Sequence, residues 1–198
     1  MKVAILDYGA GNMHSLAKAI ECSAATTFIT GDVQTALESD ALVLPGVGSF
    51  ASAMQAIAPS RTILRAALND GFPCLGVCLG MQLLFESSEE GNAEGIGFLS
   101  GSVRRLQSAR VPQIGWNTID AQVDSSTLFD PLKWVYYANS YVCDPLDKGI
   151  VSASSSYDDE LFPAAIRAGN TIGVQFHPEK SSRAGVDLIG RLLRQVAR

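Results

Sequence analysis

The stretch Phe72-Pro73-Cys74-Leu75-Gly76-Val77-Cys78-Leu79-Gly80-Met81-Gln82-Leu83-Leu84-Phe85 decides the fold. Residues 72–77 read as a short apolar strand, and Met81 to Phe85 opens a helix. The junction is a cysteine with a glycine two residues to either side. A strand with no polar face needs cover on both sides, which a parallel sheet between helices provides. The preceding chain has the same rhythm. Val3-Ala4-Ile5-Leu6-Asp7 is a strand, residues 13–22 carry helix-spaced apolar positions, and Thr26 to Ile29 and Ala41 to Leu44 are further strands. Residues 50–70 are Ala-rich and helical, with a break near Pro59. Downstream, short strands are expected at 102–107, 115–121, 134–138, 149–156, 162–168 and 171–176. Ala168-Gly169-Asn170 is a hairpin signal between the last two. A final helix over about 182–197 has an apolar stripe through Val186, Leu188, Ile189, Leu192, Leu193 and Val196. The expected architecture is α/β: an open, mostly parallel central sheet flanked by helices, with an added antiparallel portion. A length of 198 residues suits one domain, 1–198.

Composition narrows the function classes. Hydrophobic residues are 47%, charged residues 18%, and the formal net charge is -5. An acidic chain without a basic run disfavours a nucleic-acid binder that works through the phosphate backbone. The first apolar run is too short for a secretory leader, and none is long enough to span a bilayer, so a cytoplasmic protein is expected. Four cysteines, Cys22, Cys74, Cys78 and Cys143, read as free thiols. Cys74 and Cys78 have no second pair to complete a zinc site. No metal or cofactor is expected.

Gly76-Val77-Cys78-Leu79-Gly80 fits a nucleophile elbow, where a sharp strand-to-helix turn lifts one side chain above the strand ends. A helix N-terminus there favours an anion, and the next N–H points where an oxyanion would form. The pentapeptide alone is equally consistent with a core cysteine between structural glycines. His177, one of only two histidines, ends an apolar stretch in Gly173-Val174-Gln175-Phe176-His177-Pro178-Glu179-Lys180-Ser181. Glu179, two residues on, is able to orient it if the chain is extended. Nucleophile and base would then come from two strand ends of one sheet, where ligands of such sheets gather. The loop Leu44-Pro45-Gly46-Val47-Gly48-Ser49-Phe50 reads either as an ordinary βα loop or as the second half of an oxyanion hole beside Leu79. It lacks the Gly-Lys-Ser/Thr ending of a phosphate loop.

Together these segments resemble the class I (triad) glutamine amidotransferases. Within them the likeness is to the glutaminase subunits of imidazole glycerol phosphate synthase. It spans Asp7-Tyr8-Gly9-Ala10-Gly11-Asn12, Pro45-Gly46-Val47-Gly48, the elbow through Gln82, Pro112-Gln113-Ile114-Gly115-Trp116-Asn117, Ser140-Tyr141 and 176–181. The resemblance implies that Cys78 attacks the glutamine carboxamide, His177 carries the proton and Glu179 orients His177. Gln82, Glu90, Ser140 and Tyr141 would contact glutamine, with Gly46, Val47 and Leu79 on the oxyanion side. Asn12, Trp116, Asn117 and Lys180 would face the partner. That partner is a (β/α)₈ cyclase subunit of the same synthase, in histidine biosynthesis. A barrel of about 250 residues does not fit in this chain, so the cyclase is expected on another polypeptide, in a heterodimer. The sequence departs from the family where His is usual, with Asn139 before Ser140-Tyr141 and Gln113 after Pro112. Two rivals stay open: a triad glutaminase serving another synthase, and a non-catalytic scaffold that keeps the fold.

Overall fold

The computed structural model describes residues 1–9 and 13–197. The first half alternates β1 (Lys2–Leu6), α1 (His14–Glu21), β2 (Thr26–Thr30), α2 (Val33–Ala36), β3 (Ala41–Leu44), α3 (Phe50–Ile57), α4 (Arg61–Asn69), β4 (Cys74–Val77) and α5 (Leu79–Gln82). A 3₁₀ turn at Ala58–Ser60 separates α3 from α4, where Pro59 removes a helical N–H. The second half runs β5 (Phe85–Ser88), β6 (Ala93–Glu94), β7 (Leu99–Arg105), β8 (Gln113–Thr118), β9 (Asp120–Ala121), α6 (Ser126–Phe129), β10 (Trp134–Asn139), β11 (Tyr141–Pro145), β12 (Val151–Tyr157), β13 (Glu160–Ala168), β14 (Thr171–Val174) and α7 (Ser182–Val196).

The main sheet has the order β2-β1-β3-β4-β14-β13-β12-β9. Strands β2 to β14 in that order pair in parallel, and β13, β12 and β9 add the antiparallel portion. The strands β3, β4 and β14 are buried at every residue. Alternation assigns their side chains to two cores. Val3, Ile5, Val43 and Val77 pack with Leu16 and Ile20 of α1 and with Leu188, Leu192 and Val196 of α7. Ala4, Leu6, Leu42 and Leu44 pack on the other face with Phe50 and Met54 of α3 and Leu64 and Leu68 of α4. Each fully buried Leu or Phe contributes roughly 1.5–3 kcal/mol of transfer free energy. The sheet between them is thus held from both sides. The expected hairpin is present, with Gly169 at φ +56° linking β13 to β14.

The structure differs from the sequence reading chiefly at three segments. The helix expected from Met81 to Phe85 is a single turn ending at Gln82, and Phe85 starts a strand. The carbonyls of Leu83, Leu84 and Phe85 accept from the N–H groups of residues 96–99, so none is left for a helical i+4 donor. The segment Tyr141–Pro145, not read as a strand, is β11 in a second, four-stranded sheet, β11-β7-β5-β6. Cys143 therefore lies inside a strand. The expected strand 115–121 splits, because β8 leaves the main sheet to form a two-stranded ribbon with β10, in register Trp116↔Tyr136 and Gln113↔Asn139. Among the described residues no helix is long and apolar enough to cross a membrane.

Candidate active site

Cys78 stands where β4 turns into α5, with φ +49° and ψ -106°. A side chain held at such angles costs on the order of 1–3 kcal/mol, which the surroundings must offset. They do so in two ways. The Cys78 N–H donates to the Val174 carbonyl at 2.7 Å, extending the β4–β14 ladder by one step. The neighbouring backbones also close in tightly. A Cβ on Gly80 would lie 2.0 Å from the Leu44 carbonyl oxygen, and one on Gly46 would lie 2.7 Å from Cys78 Cβ. The elbow is real, but the helix after it is one turn long. Its macrodipole is correspondingly small, so the local N–H groups at its start, Leu79 first, are the donors available to an anion.

His177 lies three residues beyond β14, the strand beside β4. Regular pairing ends at Val174, earlier than the sequence suggests. Gln175 N still donates to the Ala164 carbonyl at 2.8 Å, and His177 N donates to the Tyr136 carbonyl of the ribbon at 2.8 Å. His177 Nδ1 and Glu179 Oε1 are 2.8 Å apart. An extended chain was expected to bring them together; instead Pro178–Lys180 form a 3₁₀ turn that folds the carboxylate back on the ring. With Nδ1 engaged by the carboxylate, Nε2 is the ring nitrogen left to serve Cys78. Burial depresses the His177 pKa. The hydrogen bonds to Cys78 and Glu179 and the charges of both outweigh burial and raise it to about 10. Glu179 Oε2 is buried without a partner among the described residues.

Cys78, Gly46, Leu79, Gln82, Glu90, Ser140 and Tyr141 line one cavity of about 180 Å³, together with Gly48, Ala138 and Asn139. Val47, expected on the oxyanion side, is not among the lining residues, although both its glycine neighbours are. Glu90 has two duties. One oxygen accepts from Phe50 N at the start of α3, 3.0 Å away, which leaves the other for the cavity. The cavity wall at Tyr141 and Asn139 belongs to the second sheet and the ribbon, so the site needs all three sheets. The other buried thiols are chemically different from an elbow cysteine. Burial pushes Cys74 up to about 12 and Cys143 well above its ordinary value, so neither is a nucleophile near neutral pH.

Two residues without an assigned role in the sequence reading join the site. Tyr8 hydroxyl donates to the Pro45 carbonyl and anchors the glycine loop beside Cys78. Gln175, fully buried, places its amide nitrogen 3.5 Å from Cys78 Sγ. The available signal was a polar residue inside the apolar run Gly173-Val174-Gln175-Phe176. Of the residues expected to face a partner, Trp116 is exposed and packs edge-on to Tyr136, while Lys180 Nζ lies 6.0 Å from the Tyr136 ring. Asn117 is half-buried and donates to the Ser156 carbonyl at 2.8 Å. Asn12 lies outside the described residues.

Known proteins share both sequence and shape with this chain. The family model "Glutamine amidotransferase class-I" matches residues 4–192. A curated relative from Trichormus variabilis, "Imidazole glycerol phosphate synthase subunit HisH", is 39% identical over 203 residues, covering 98% of this chain and 96% of the relative. A protein of the same name from Oceanobacillus iheyensis is 41% identical, covering 96% of each. Among solved structures, a glutamine amidotransferase superposes with TM-score 0.75 at 18% identity, over 98% of both chains. Another, from Thermotoga maritima, has TM-score 0.73 at 15% identity, over 100% of this chain and 97% of that one. Matched nearly end to end by the family model and by curated sequences, the chain belongs to the class-I glutamine amidotransferase family, alongside the HisH subunits.

Proposed function

We propose that this chain, acting as a single domain, hydrolyses glutamine to glutamate and ammonia. The ammonia passes to a separate (β/α)₈ cyclase subunit that forms imidazole glycerol phosphate in histidine biosynthesis. The observation that carries the chemistry is the pairing of a strained elbow cysteine, which lines a polar cavity, with a buried imidazole–carboxylate pair just beyond the neighbouring strand. Full-length likeness to proteins named HisH supports the pathway and the existence of a partner. A cytoplasmic heterodimer is the corresponding setting.

In this reading Cys78 Sγ attacks the carboxamide carbon. The oxyanion that forms is met by the Leu79 N–H and by the backbone of the glycine loop at Gly46. His177 gives its proton to the leaving nitrogen, the C–N bond breaks, and ammonia departs from a glutamyl thioester. His177 then takes a proton from water as the water attacks the thioester, and glutamate and the free thiol are regenerated. Glu179 holds the ring and supports its positive charge throughout. Gln82, Glu90, Ser140 and Tyr141 surround the amino-acid end of the substrate.

The partner surface is the outer face of the β8–β10 ribbon. Ile114 is 66% exposed, Trp116 52% and Trp134 58%, and the ribbon register gathers them on one side with Ala138. Exposed aromatics with a flanking cation, here Lys180, are the composition of an interface core and its rim. Tyr136 of this ribbon bonds His177 through the backbone, so an occupant of this face lies one residue from the catalytic base. Basal hydrolysis is therefore low, and partner binding raises it by favouring a competent oxyanion loop. A glutamine-shaped chloromethyl ketone tests the nucleophile. It is expected to modify Cys78 alone of the four thiols. Labelling of Cys22 instead, or no labelling of Cys78 even with the cyclase present, contradicts the reading.

A further inference from the structure

The hydrogen bonds behind Cys78 run in only one direction. The Tyr141 carbonyl is an acceptor and nothing else, and it takes a hydrogen from Gln82 Nε2 at 3.0 Å. That contact fixes which way the Gln82 amide faces. The same nitrogen donates its second hydrogen to Gln175 Oε1 at 3.0 Å, which fixes the Gln175 amide in turn. Gln175 Nε2 is thereby aimed at Cys78 Sγ, 3.5 Å away. The contact follows from the fold. Val77 and Val174 are partners in the β4–β14 ladder, so the next residues, 78 and 175, sit side by side. With both Gln82 hydrogens committed, only its Oε1 remains to face the cavity.

We infer that Gln175 is a positioning residue of this site, whose N–H holds the Cys78 sulfur and supports negative charge on it. Its carbonyl locks Gln82 so that Gln82 presents an acceptor to an N–H of the bound glutamine. A sulfur is a weak acceptor as a thiol and a strong one as a thiolate, so the bond tightens as the nucleophile forms. The inference rests on Cys78 being the nucleophile proposed above.

Two near-isosteric variants separate a donor to sulfur from a prop for Gln82. Gln175→Met keeps the volume and loses both groups. Gln175→Glu keeps the acceptor for Gln82, loses the donor and sets an anion beside the sulfur. Iodoacetamide alkylation is read on the Cys78 peptide, and glutamine turnover is measured with the cyclase subunit present. Alkylation and kcat are expected to fall about tenfold in the Met variant and further in the Glu variant, with KM within about twofold of wild type. Wild-type alkylation and kcat in both variants overturn the inference. So does a Glu variant that works well beside a Met variant impaired chiefly in KM, because that pattern assigns Gln175 to Gln82 alone. If the Met variant does not fold, the Glu variant decides by the same two rates. Equal ammonia release by wild type and Cys78→Ala instead removes the nucleophile itself, a failure distinct from that of Gln175.

Discussion

His177 carries the largest electrostatic consequence of the site at the scale of a single residue. Its folded pKa of about 10 stands above the ordinary 6.5. A raised pKa means the folded state holds the proton more tightly. The associated stability is fully present below about pH 6.5 and is lost as pH rises through about 10. Glu179→Gln removes one of the two charges that hold the proton. The imidazole midpoint, followed by NMR with His14 the only other histidine, is expected to drop by at least about one unit. Glutaminase kcat falls by about 100-fold in the same variant, since the ring loses its orienting anion. An unmoved midpoint shows that Glu179 does not act on the ring. Cys78, His177 and Glu179 stood out in the sequence because two chemically unusual segments, a cysteine with glycines two residues to either side and a His–Pro–Glu, each close an apolar stretch. Gln175 had no assigned role because its partner is set by strand register, and register is not written in either strand alone.

At the scale of elements, the elbow depends on close backbone approach. Gly80→Ala would set a methyl 2.0 Å from the Leu44 carbonyl oxygen, backbone against backbone, with no flexible side chain to yield. The expected cost is about 2–3 kcal/mol, read as a lower urea midpoint at unchanged m-value. A wild-type midpoint contradicts the packing described. In the first half β1, β3 and β4 were readable because each is apolar on both faces, and α1, α3 and α4 because each has an apolar stripe; the four-residue α2 was too short to show one. The second half was harder for physical reasons. Leu83, Leu84 and Phe85 have the composition of a helix, yet their carbonyls are taken by residues 96–99. β11, with Asp144 and Pro145 at its end, pairs among the described residues through β7, 36 residues upstream at Tyr141↔Arg105. Such non-local pairing overrides local propensity.

For the whole molecule, three sheets meet at one cavity, and the ribbon between that cavity and solvent carries the exposed aromatics. Partner binding is expected to concentrate there. Trp116→Ser and Trp134→Ser should each weaken cyclase affinity by roughly 30-fold or more, as loss of an aromatic anchor does. Thermal stability should change little, since both side chains are exposed in the free chain. Unaltered affinity in both variants would move the interface elsewhere. Trp116 stands out in the sequence, whereas the half-buried Asn117 bonds the Ser156 carbonyl and Trp134 acquires its place only from the pairing of β10 with β8.

The proposed function turns on Cys78 being a nucleophile whose site waits for a partner. Its most direct test is ammonia release from glutamine by wild type and Cys78→Ala, each with and without the barrel cyclase and its ligand. Weak release is expected from the wild-type chain alone, with a strong rise in the presence of the cyclase and none from Cys78→Ala in either condition. Full turnover by Cys78→Ala, or a wild-type rate indifferent to the cyclase, would contradict it.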